Sequence, residues 1–241
     1  MKHEHKQLVL ALVATLSTLA TAAVLSAAHP PKGSSDGEVE FSFARIYWEY
    51  NASANDLGVH VTLDGEDWKY LRITNPLNKT IFGVVGKGPY KELGMTELFF
   101  EGAEPSLEEV PLEELLAKFP EGVYEFEGQT VGGEEIEADA DFSHAIPDGP
   151  EVFSSVAPGG FVEISWNPVV SGPPGFPVQS VDVVSYQVIV ESFEVTVPAS
   201  VLSMTVPPEF VLSLPAGTHQ FEVLAIEASG NQTLTEGEFV L

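Results

Sequence analysis

Short runs in which apolar and polar residues alternate recur along most of the chain, and Gly, Pro, Asn and Asp separate them. A period of two places every second side chain on one buried face of a strand, and those four residue types favour turns. The pattern therefore predicts a mostly β protein. The runs are residues 39–50, 58–63, 68–73, 80–85, 123–131, 135–142, 161–166, 183–191, 201–206 and 218–228.

Residues 38–145 are predicted to form a small β-rich domain of their own. The dipeptide Asp64-Gly65 is a strong hairpin signal, so we expect a turn there between the runs 58–63 and 68–73. This part of the chain then forms a meander whose strands are consecutive in sequence.

One short helix interrupts the strands of this domain. In residues 111–119 the apolar positions are spaced as on one face of a helix. Pro111 suits the first helical turn, and Glu113 and Glu114 carry the negative charge that the amino-terminal end of a helix favours. Pro120 ends the predicted helix.

The amino-terminal end is typical of a secretory signal peptide, predicted at residues 1–28. Lys2 and Lys6 precede an apolar segment at residues 8–25, and small residues just before residue 29 suit cleavage. An uncleaved membrane anchor is the alternative, because about 18 apolar residues can just span a bilayer. We expect a flexible leader at residues 29–37, no membrane span after cleavage, and a secreted or periplasmic location.

Charge is distributed unevenly along the sequence. Ten basic residues stand against 36 acidic ones, and Lys118 is the last basic residue, so that 19 acids and no Lys or Arg follow it. Such a surface repels phosphate backbones, which excludes nucleic acid as a partner. One interpretation of the acidity is solubility, or adaptation to a salty environment. The other is that the acidic residues attract cations such as Ca²⁺.

Cysteine is absent from the chain. Its absence excludes disulfides, thiolate metal sites, Fe–S clusters and cysteine nucleophiles. A secreted protein of this size without a disulfide depends on its hydrophobic core for stability.

Residues 151–241 carry a recognisable series of motifs after a Pro-containing linker at residues 146–150. The series comprises Trp166 and Pro168, then Tyr186 in an alternating run, then Leu214-Pro215-Ala216-Gly217, Phe221, Val223, Ala225 and Gly230. It resembles the fibronectin type III family, which implies an immunoglobulin-like β-sandwich that serves as a spacer or binding module.

Two departures from that family limit what the resemblance implies. Phe221 stands where the family usually has Tyr, so the hydrogen bond that pins the corner before this strand is expected to be missing. The adhesive tripeptide Arg-Gly-Asp does not occur in the chain, so integrin-type adhesion is not carried over.

Motifs that carry catalysis are not found in the sequence. Beyond the amino-terminal segment, the histidines His60, His144 and His219 are isolated, so we expect each to be a packing or surface residue. No serine-elbow motif occurs. We therefore expect no enzyme. A carbohydrate-active hydrolase that uses two paired carboxylates stays open as an alternative.

Hard oxygen ligands are concentrated around the turns of residues 49–67, where a Ca²⁺ ion is the candidate cofactor. The alternative is that these residues only shape the turns, since Asn, Asp and Gly are the usual turn residues. The candidate ligands are Glu49, Asn51, Asn55, Asp56, Asp64 and Asp67.

These observations predict a secreted, non-enzymatic binding protein, extracellular or periplasmic, whose partner is a protein or a glycan. In this interpretation the amino-terminal domain carries recognition and the sandwich is a spacer or second binding module. A calcium-dependent carbohydrate-binding module is the alternative binding function.

Overall fold

A computed structural model describes residues 38–241, which form fourteen strands and three short helices. The signal peptide predicted at residues 1–28 and the leader predicted at residues 29–37 lie outside the described residues. The strands are β1 (Glu38–Glu40), β2 (Phe43–Asn51), β3 (Asp56–Thr74), β4 (Thr80–Val85), β5 (Met95–Glu101), β6 (Gly122–Thr130), β7 (Glu135–Phe142), β8 (Val152–Ala157), β9 (Phe161–Trp166), β10 (Val183–Val190), β11 (Phe193–Pro198), β12 (Ser203–Val206), β13 (Thr218–Glu227) and β14 (Gln232–Val240). The helices are α1 (Pro89–Leu93), α2 (Leu112–Lys118) and α3 (Pro208–Val211).

The predicted mostly β fold is confirmed. We call β1–β7 with α1 and α2 the N-terminal module, and β8–β14 with α3 the C-terminal module. Helix α2 lies where the helix was predicted, and Leu115 on its inner face is buried in the core. None of the helices in residues 38–241 has the length and apolarity that crossing a bilayer requires.

The long strand β3 organises the N-terminal module. Its first half lies between β2 and β5, and its second half lies between β6 and β4. The turn predicted at Asp64-Gly65 is wrong, because β3 continues through this dipeptide and the ladder with β5 is irregular between Asp64 and Trp68. A Cβ atom at Gly65 would lie 2.7 Å from the Phe41 ring, so glycine here permits close packing.

The C-terminal module is a β-sandwich, as the resemblance implied. Strands β12, β9 and β8 form one sheet, and β11, β10, β13 and β14 lie side by side in the other. Trp166 and Tyr186 meet in the core with ring centroids 5.4 Å apart. The Tyr186 hydroxyl also accepts a hydrogen bond from the Val169 N–H at 2.8 Å, which ties the chain beyond β9 to this core.

The two modules share one sheet, because β14 pairs in parallel with β2 over three residues, from Gln232 opposite Glu49 to Leu234 opposite Asn51. Phe176 of the C-terminal module packs in the N-terminal core, with its ring centroid 5.1 Å from that of Tyr50. The segment at residues 146–150, expected as a linker, runs through this junction, and Ile146 within it is 1% exposed.

Asn231 closes the junction with hydrogen bonds from a buried side chain, which is 1% exposed. Its Oδ1 accepts the backbone N–H of Trp48 at 2.8 Å. Its Nδ2 donates to the carbonyl oxygens of Ser143 and Ala145 at 2.8 and 3.1 Å. One side chain thus satisfies backbone groups from two segments of the N-terminal module.

The corner before β13 is pinned by a histidine. His219 Nε2 lies 2.9 Å from the Pro215 carbonyl oxygen, and Nδ1 lies 3.1 Å from Glu191 Oε1. His219 lies two residues before Phe221 on the same face of β13. It therefore supplies the corner hydrogen bond that was expected to be missing. Both acceptors are satisfied only when both ring nitrogens carry protons. The hydrogen bond to Pro215, followed by that to Glu191, raises the pKa of His219.

Replacing His219 with Gln is expected to reduce stability more at acidic than at alkaline pH. A raised folded-state pKa contributes stability that is fully present below the unfolded value of about 6.5 and is lost as pH rises through the folded value. The measurement is urea unfolding of the wild type and the variant at pH 5.5 and pH 8.5. The difference in unfolding free energy should be larger at pH 5.5, and an equal or smaller difference there would contradict this role.

Asn231→Ala should cost about 3 kcal/mol of unfolding free energy, because it leaves one buried donor and two buried acceptors without their partner. Asn167→Ala is the matched control, since Asn167 is exposed and should change stability by less than about 0.5 kcal/mol. Urea midpoints of the full chain measure both. An Asn231 variant as stable as the control would show that these bonds do not hold the junction.

Candidate functional site

The outer faces of β2 and β3 carry a polar cluster beside the junction. Apolar side chains at alternate positions of both strands point into the core, so Tyr47, Glu49 and His60 face outward. The register places Tyr47 opposite His60 and Glu49 opposite Gly58. Two side chains of opposite chemical character, a carboxylate and an imidazole, therefore lie diagonally across one strand pair.

Glu104 enters this cluster from the chain that follows β5. That segment continues along β3, where the Leu57 N–H donates to the Pro105 carbonyl oxygen at 3.3 Å. The Glu104 side chain occupies the space that Gly58 leaves free, because a Cβ atom at Gly58 would lie 2.4 Å from Glu104 Cγ. Because Gly58 has no side chain, the Glu104 carboxylate from the segment after β5 fits beside β3.

The three charged side chains are in mutual reach. His60 Nε2 lies 3.0 Å from Glu104 Oε1 and 3.8 Å from Glu49 Oε1. One donor atom from each of the three residues lies within 4.8 Å of the other two. The His60 side chain is 6% exposed, that of Glu49 16% and that of Glu104 28%. The cluster is therefore partly buried and still open on the Glu104 side.

Neighbouring side chains orient the members of the cluster. The Tyr47 hydroxyl lies 3.4 Å from His60 Nδ1, and the Arg45 guanidinium carbon lies 3.9 Å from the centre of the Tyr47 ring. Gln232, at the start of β14, donates its amide N–H to Glu49 Oε2. The Glu49 carboxylate is therefore held by the C-terminal module although it belongs to the N-terminal one.

Burial and crowding change the acidity of the cluster. Burial raises the pKa of Glu49. At His60, burial alone would lower the pKa, but the hydrogen bond to Glu104 and the charges of Glu49 and Glu104 outweigh it and raise the pKa. The cluster thus combines a carboxylate that is costly to ionise with an imidazole that favours its proton.

Further carboxylates surround the three residues. Glu101 lies opposite His60 in the pairing of β3 with β5. Burial, with nearby acidic side chains, raises the pKa of Asp56 to about 6 and also raises that of Glu222. Glu236 is among the neighbours that raise both values. The outer face of the shared sheet therefore concentrates negative charge at the junction.

The six residues predicted as Ca²⁺ ligands do not form one site. Glu49 belongs to the cluster, whereas Asn51 and Asn55 shape the β2–β3 hairpin: Asn51 Oδ1 accepts the N–H groups of residues 53 and 54, and Asn55 Oδ1 accepts the Tyr50 hydroxyl. Asn55 has a φ of 57°, and Asp56 begins β3 beside this hairpin.

Asp64 and Asp67 lie toward the other end of the β2–β3 pair. Asp64 is eight strand positions from Asp56, which corresponds to about 26 Å. Both residues line a separate cleft of about 310 Å³ together with Glu40, Ser42, Glu66 and Thr96. The structure therefore divides the predicted set between a hairpin, the cluster and this acidic cleft.

Sequence reasoning missed His60 and Glu104 as members of a site. The alternation of β2 and β3 places Glu49 and His60 on one face, so their proximity was available from the pattern once the strands were paired. Glu104 lies outside any strand, and only the pairing of its segment with β3 brings it to Gly58.

A second candidate surface is basic. Lys69, Tyr70, Lys87, Lys91 and Gln129 line a cleft of about 350 Å³ beside α1 and β4, with Val85 and Gly86 completing its wall. Residues 38–241 contain seven basic side chains, so this one cleft holds three of them. The seven are Arg45, Lys69, Arg72, Lys79, Lys87, Lys91 and Lys118.

Comparison with known proteins gives distant structural likeness alone. No family model and no curated protein matches the chain. The solved structures that are similar include the spore cortex lytic enzyme SleM of Clostridium perfringens, with a TM-score of 0.31, 15% identity and coverage of 39% of this chain and 28% of that chain. A two-domain fibronectin type III segment of chicken tenascin has a TM-score of 0.29 and 12% identity, covering 83% of this chain and 98% of that one.

A 1.5-MDa bacterial ice-binding adhesin is also similar, with a TM-score of 0.25, 9% identity and coverage of 84% and 65% of the two chains. The match between this chain and SleM spans 28% of the SleM chain. At these TM-scores the likeness carries no argument about function. The fold assignment therefore depends on the strand pairing of this chain itself.

Proposed function

We propose that the chain is a secreted or periplasmic interaction protein without catalytic activity, and that its N-terminal module carries the binding surface. The observation that carries this proposal is the basic cleft. In a chain of net charge −26, three lysines line one cleft together with Tyr70 and Gln129. Convergent polar groups beside an exposed ring are the elements of a binding site.

The chemistry of the cleft favours a short carboxylate-bearing partner. Lysine ammonium groups donate hydrogen bonds to carboxylates, and the Tyr70 ring, 36% exposed, offers an apolar contact surface. A long polyanion would extend beyond the cleft and would be repelled by the acidic side chains on the rest of the surface. A short acidic segment of a protein or glycan would not, because charges more than about 8 Å apart are largely screened at physiological ionic strength.

The junction gives the C-terminal module a role in this function. Shared sheet pairing, the Asn231 hydrogen bonds and the insertion of Phe176 fix the two modules against each other. The sandwich is then a rigid acidic support that presents the cleft at a constant orientation. Such a support agrees with the predicted role of the C-terminal module as a spacer.

Glu49 and Glu104, the close pair of acids in the cluster, do not support the hydrolase alternative. A glycosidase needs the scissile bond between its two carboxyl groups. Here the imidazole of His60 lies between Glu49 and Glu104, within 3.8 Å of both. The calcium alternative loses its predicted ligand set, because the hairpin side chains are used in turn hydrogen bonds.

Binding by the cleft is tested with the full chain on an array of neutral and uronic-acid oligosaccharides and Glu-rich peptides. We expect binding to carboxylate-bearing probes and at least a tenfold loss in the double variant Lys87→Glu and Lys91→Glu, because the charge of the cleft is reversed. The double variant Lys79→Glu and Lys118→Glu makes the same change in net charge outside the cleft and should retain binding.

Two results would overturn the proposed function. One is that no carboxylate-bearing probe binds the wild type. The other is that both double variants lose binding equally, since the effect would then follow the net charge of the protein and not the cleft.

A further inference from the structure

We infer that Glu49, His60 and Glu104 form a binding site for a first-row transition-metal dication, for which Zn²⁺ is the appropriate probe. The site lies at the junction of the modules and does not depend on the basic cleft or on the function proposed for it. Its basis is the arrangement of donor atoms, the side chains that orient them and the local charge.

Two of the three distances between donor atoms are close to the spacing that a tetrahedral ion requires. Ligands about 2.0–2.2 Å from Zn²⁺ lie about 3.4 Å from one another in that geometry. The distances from His60 Nε2 to the two carboxylate oxygens, 3.0 and 3.8 Å, lie on either side of this value. An ion at the centre would replace the direct contacts between imidazole and carboxylates after small rotations of the two Glu side chains.

The second ring nitrogen of His60 has the partner that a metal ligand needs. Nε2 faces the carboxylates, so it must be free of a proton to bind a metal, and Nδ1 then carries the proton. The Tyr47 hydroxyl oxygen, 3.4 Å from Nδ1, is placed to accept it. Metal-bound histidines are commonly oriented by such a partner.

The carboxylate of Glu49 is oriented in the same way. Gln232 donates to Oε2, which leaves Oε1, the oxygen nearer His60, available to an ion. Because Gln232 begins β14, one of the two orienting partners of the site comes from the C-terminal module. A bound ion would therefore connect the modules through one carboxylate and one amide.

Negative charge at the cluster exceeds what its basic groups balance. Glu49 and Glu104 are joined by Glu101 across from His60, and the charge of Glu49 also acts on the nearby carboxyl groups of Asp56 and Glu222. A dication relieves repulsion that one imidazolium relieves only in part. A water molecule would complete a fourth coordination position.

The mixture of donors selects the kind of metal. Ca²⁺ takes six to eight oxygen ligands at about 2.3–2.6 Å, which one nitrogen and two carboxylates do not supply. Imidazole and carboxylate together suit Zn²⁺ and the neighbouring first-row dications. The cation expected here is therefore not the Ca²⁺ ion that the sequence suggested. Two of its three ligands, His60 and Glu104, were not among the predicted Ca²⁺ ligands.

Zinc titration of the full chain by calorimetry tests this inference. The protein is produced without a histidine tag, and the parent chain and every variant carry His3→Gln, His5→Gln and His29→Gln, so that the amino-terminal histidines cannot contribute. We expect one equivalent of Zn²⁺ to bind with micromolar or tighter affinity. His60→Gln should weaken binding at least tenfold. Gln232→Leu should weaken it about 10–100-fold, as loss of an orienting partner does.

Gly58→Ala provides a test that removes no ligand. The added Cβ atom would displace Glu104, so Zn²⁺ affinity should fall at least tenfold while circular dichroism shows the fold retained. This variant keeps the inference testable if His60→Gln does not fold. His219→Gln is the matched control, because His219 also contacts a carboxylate but only one, and it should bind Zn²⁺ as the parent does.

The inference is overturned if the parent chain binds no Zn²⁺. It is also overturned if folded His60→Gln and Gly58→Ala variants bind Zn²⁺ as tightly as the parent. In either case the three side chains form only an ion-pair cluster that supports the junction.

Discussion

The parallel pairing of β14 with β2 is the constraint on which the rest of the structure depends. A sandwich strand at the edge of a sheet exposes unpaired N–H and C=O groups, which invite association with other chains. Here the edge of the C-terminal module meets an edge of the N-terminal module over three residue pairs. The two edges cover each other over these pairs, and the strands of both modules become one sheet.

The contacts beside this pairing make it specific. Asn231 precedes β14 and satisfies backbone groups of the N-terminal module, and the Thr233 hydroxyl donates to the Pro147 carbonyl oxygen. Phe176 adds an apolar contact with the N-terminal core. A chain without cysteine has no disulfide between its modules, so these buried contacts hold the modules together against the mutual repulsion of an acidic surface.

Much of the fold could be predicted from alternation, and its failures have physical causes. The sequence signal at Asp64-Gly65 is local, whereas the course of β3 is decided by Phe41, β5 and β6 packing around it. Strand β8 was not predicted because its side chains are mostly exposed, so apolar periodicity does not mark it. The corner hydrogen bond was expected to be missing because Phe221 has no hydroxyl, although His219, on the same face, makes it.

The candidate site shows a different limit of sequence reasoning. Glu49 was identified for its oxygen atoms, yet its neighbours could be found only from strand register and from the space above Gly58. Glu104 is 44 residues from His60 in the chain, and Gln232 is 183 residues from Glu49. Contacts at such separations follow from tertiary pairing and not from any local motif.

We infer that the junction unites both modules in one cooperative unit. Scanning calorimetry of the full chain tests this most directly. We expect a single unfolding transition whose calorimetric and van't Hoff enthalpies agree. Two resolved transitions, or a calorimetric enthalpy about twice the van't Hoff value, would show that the modules unfold independently and would contradict it.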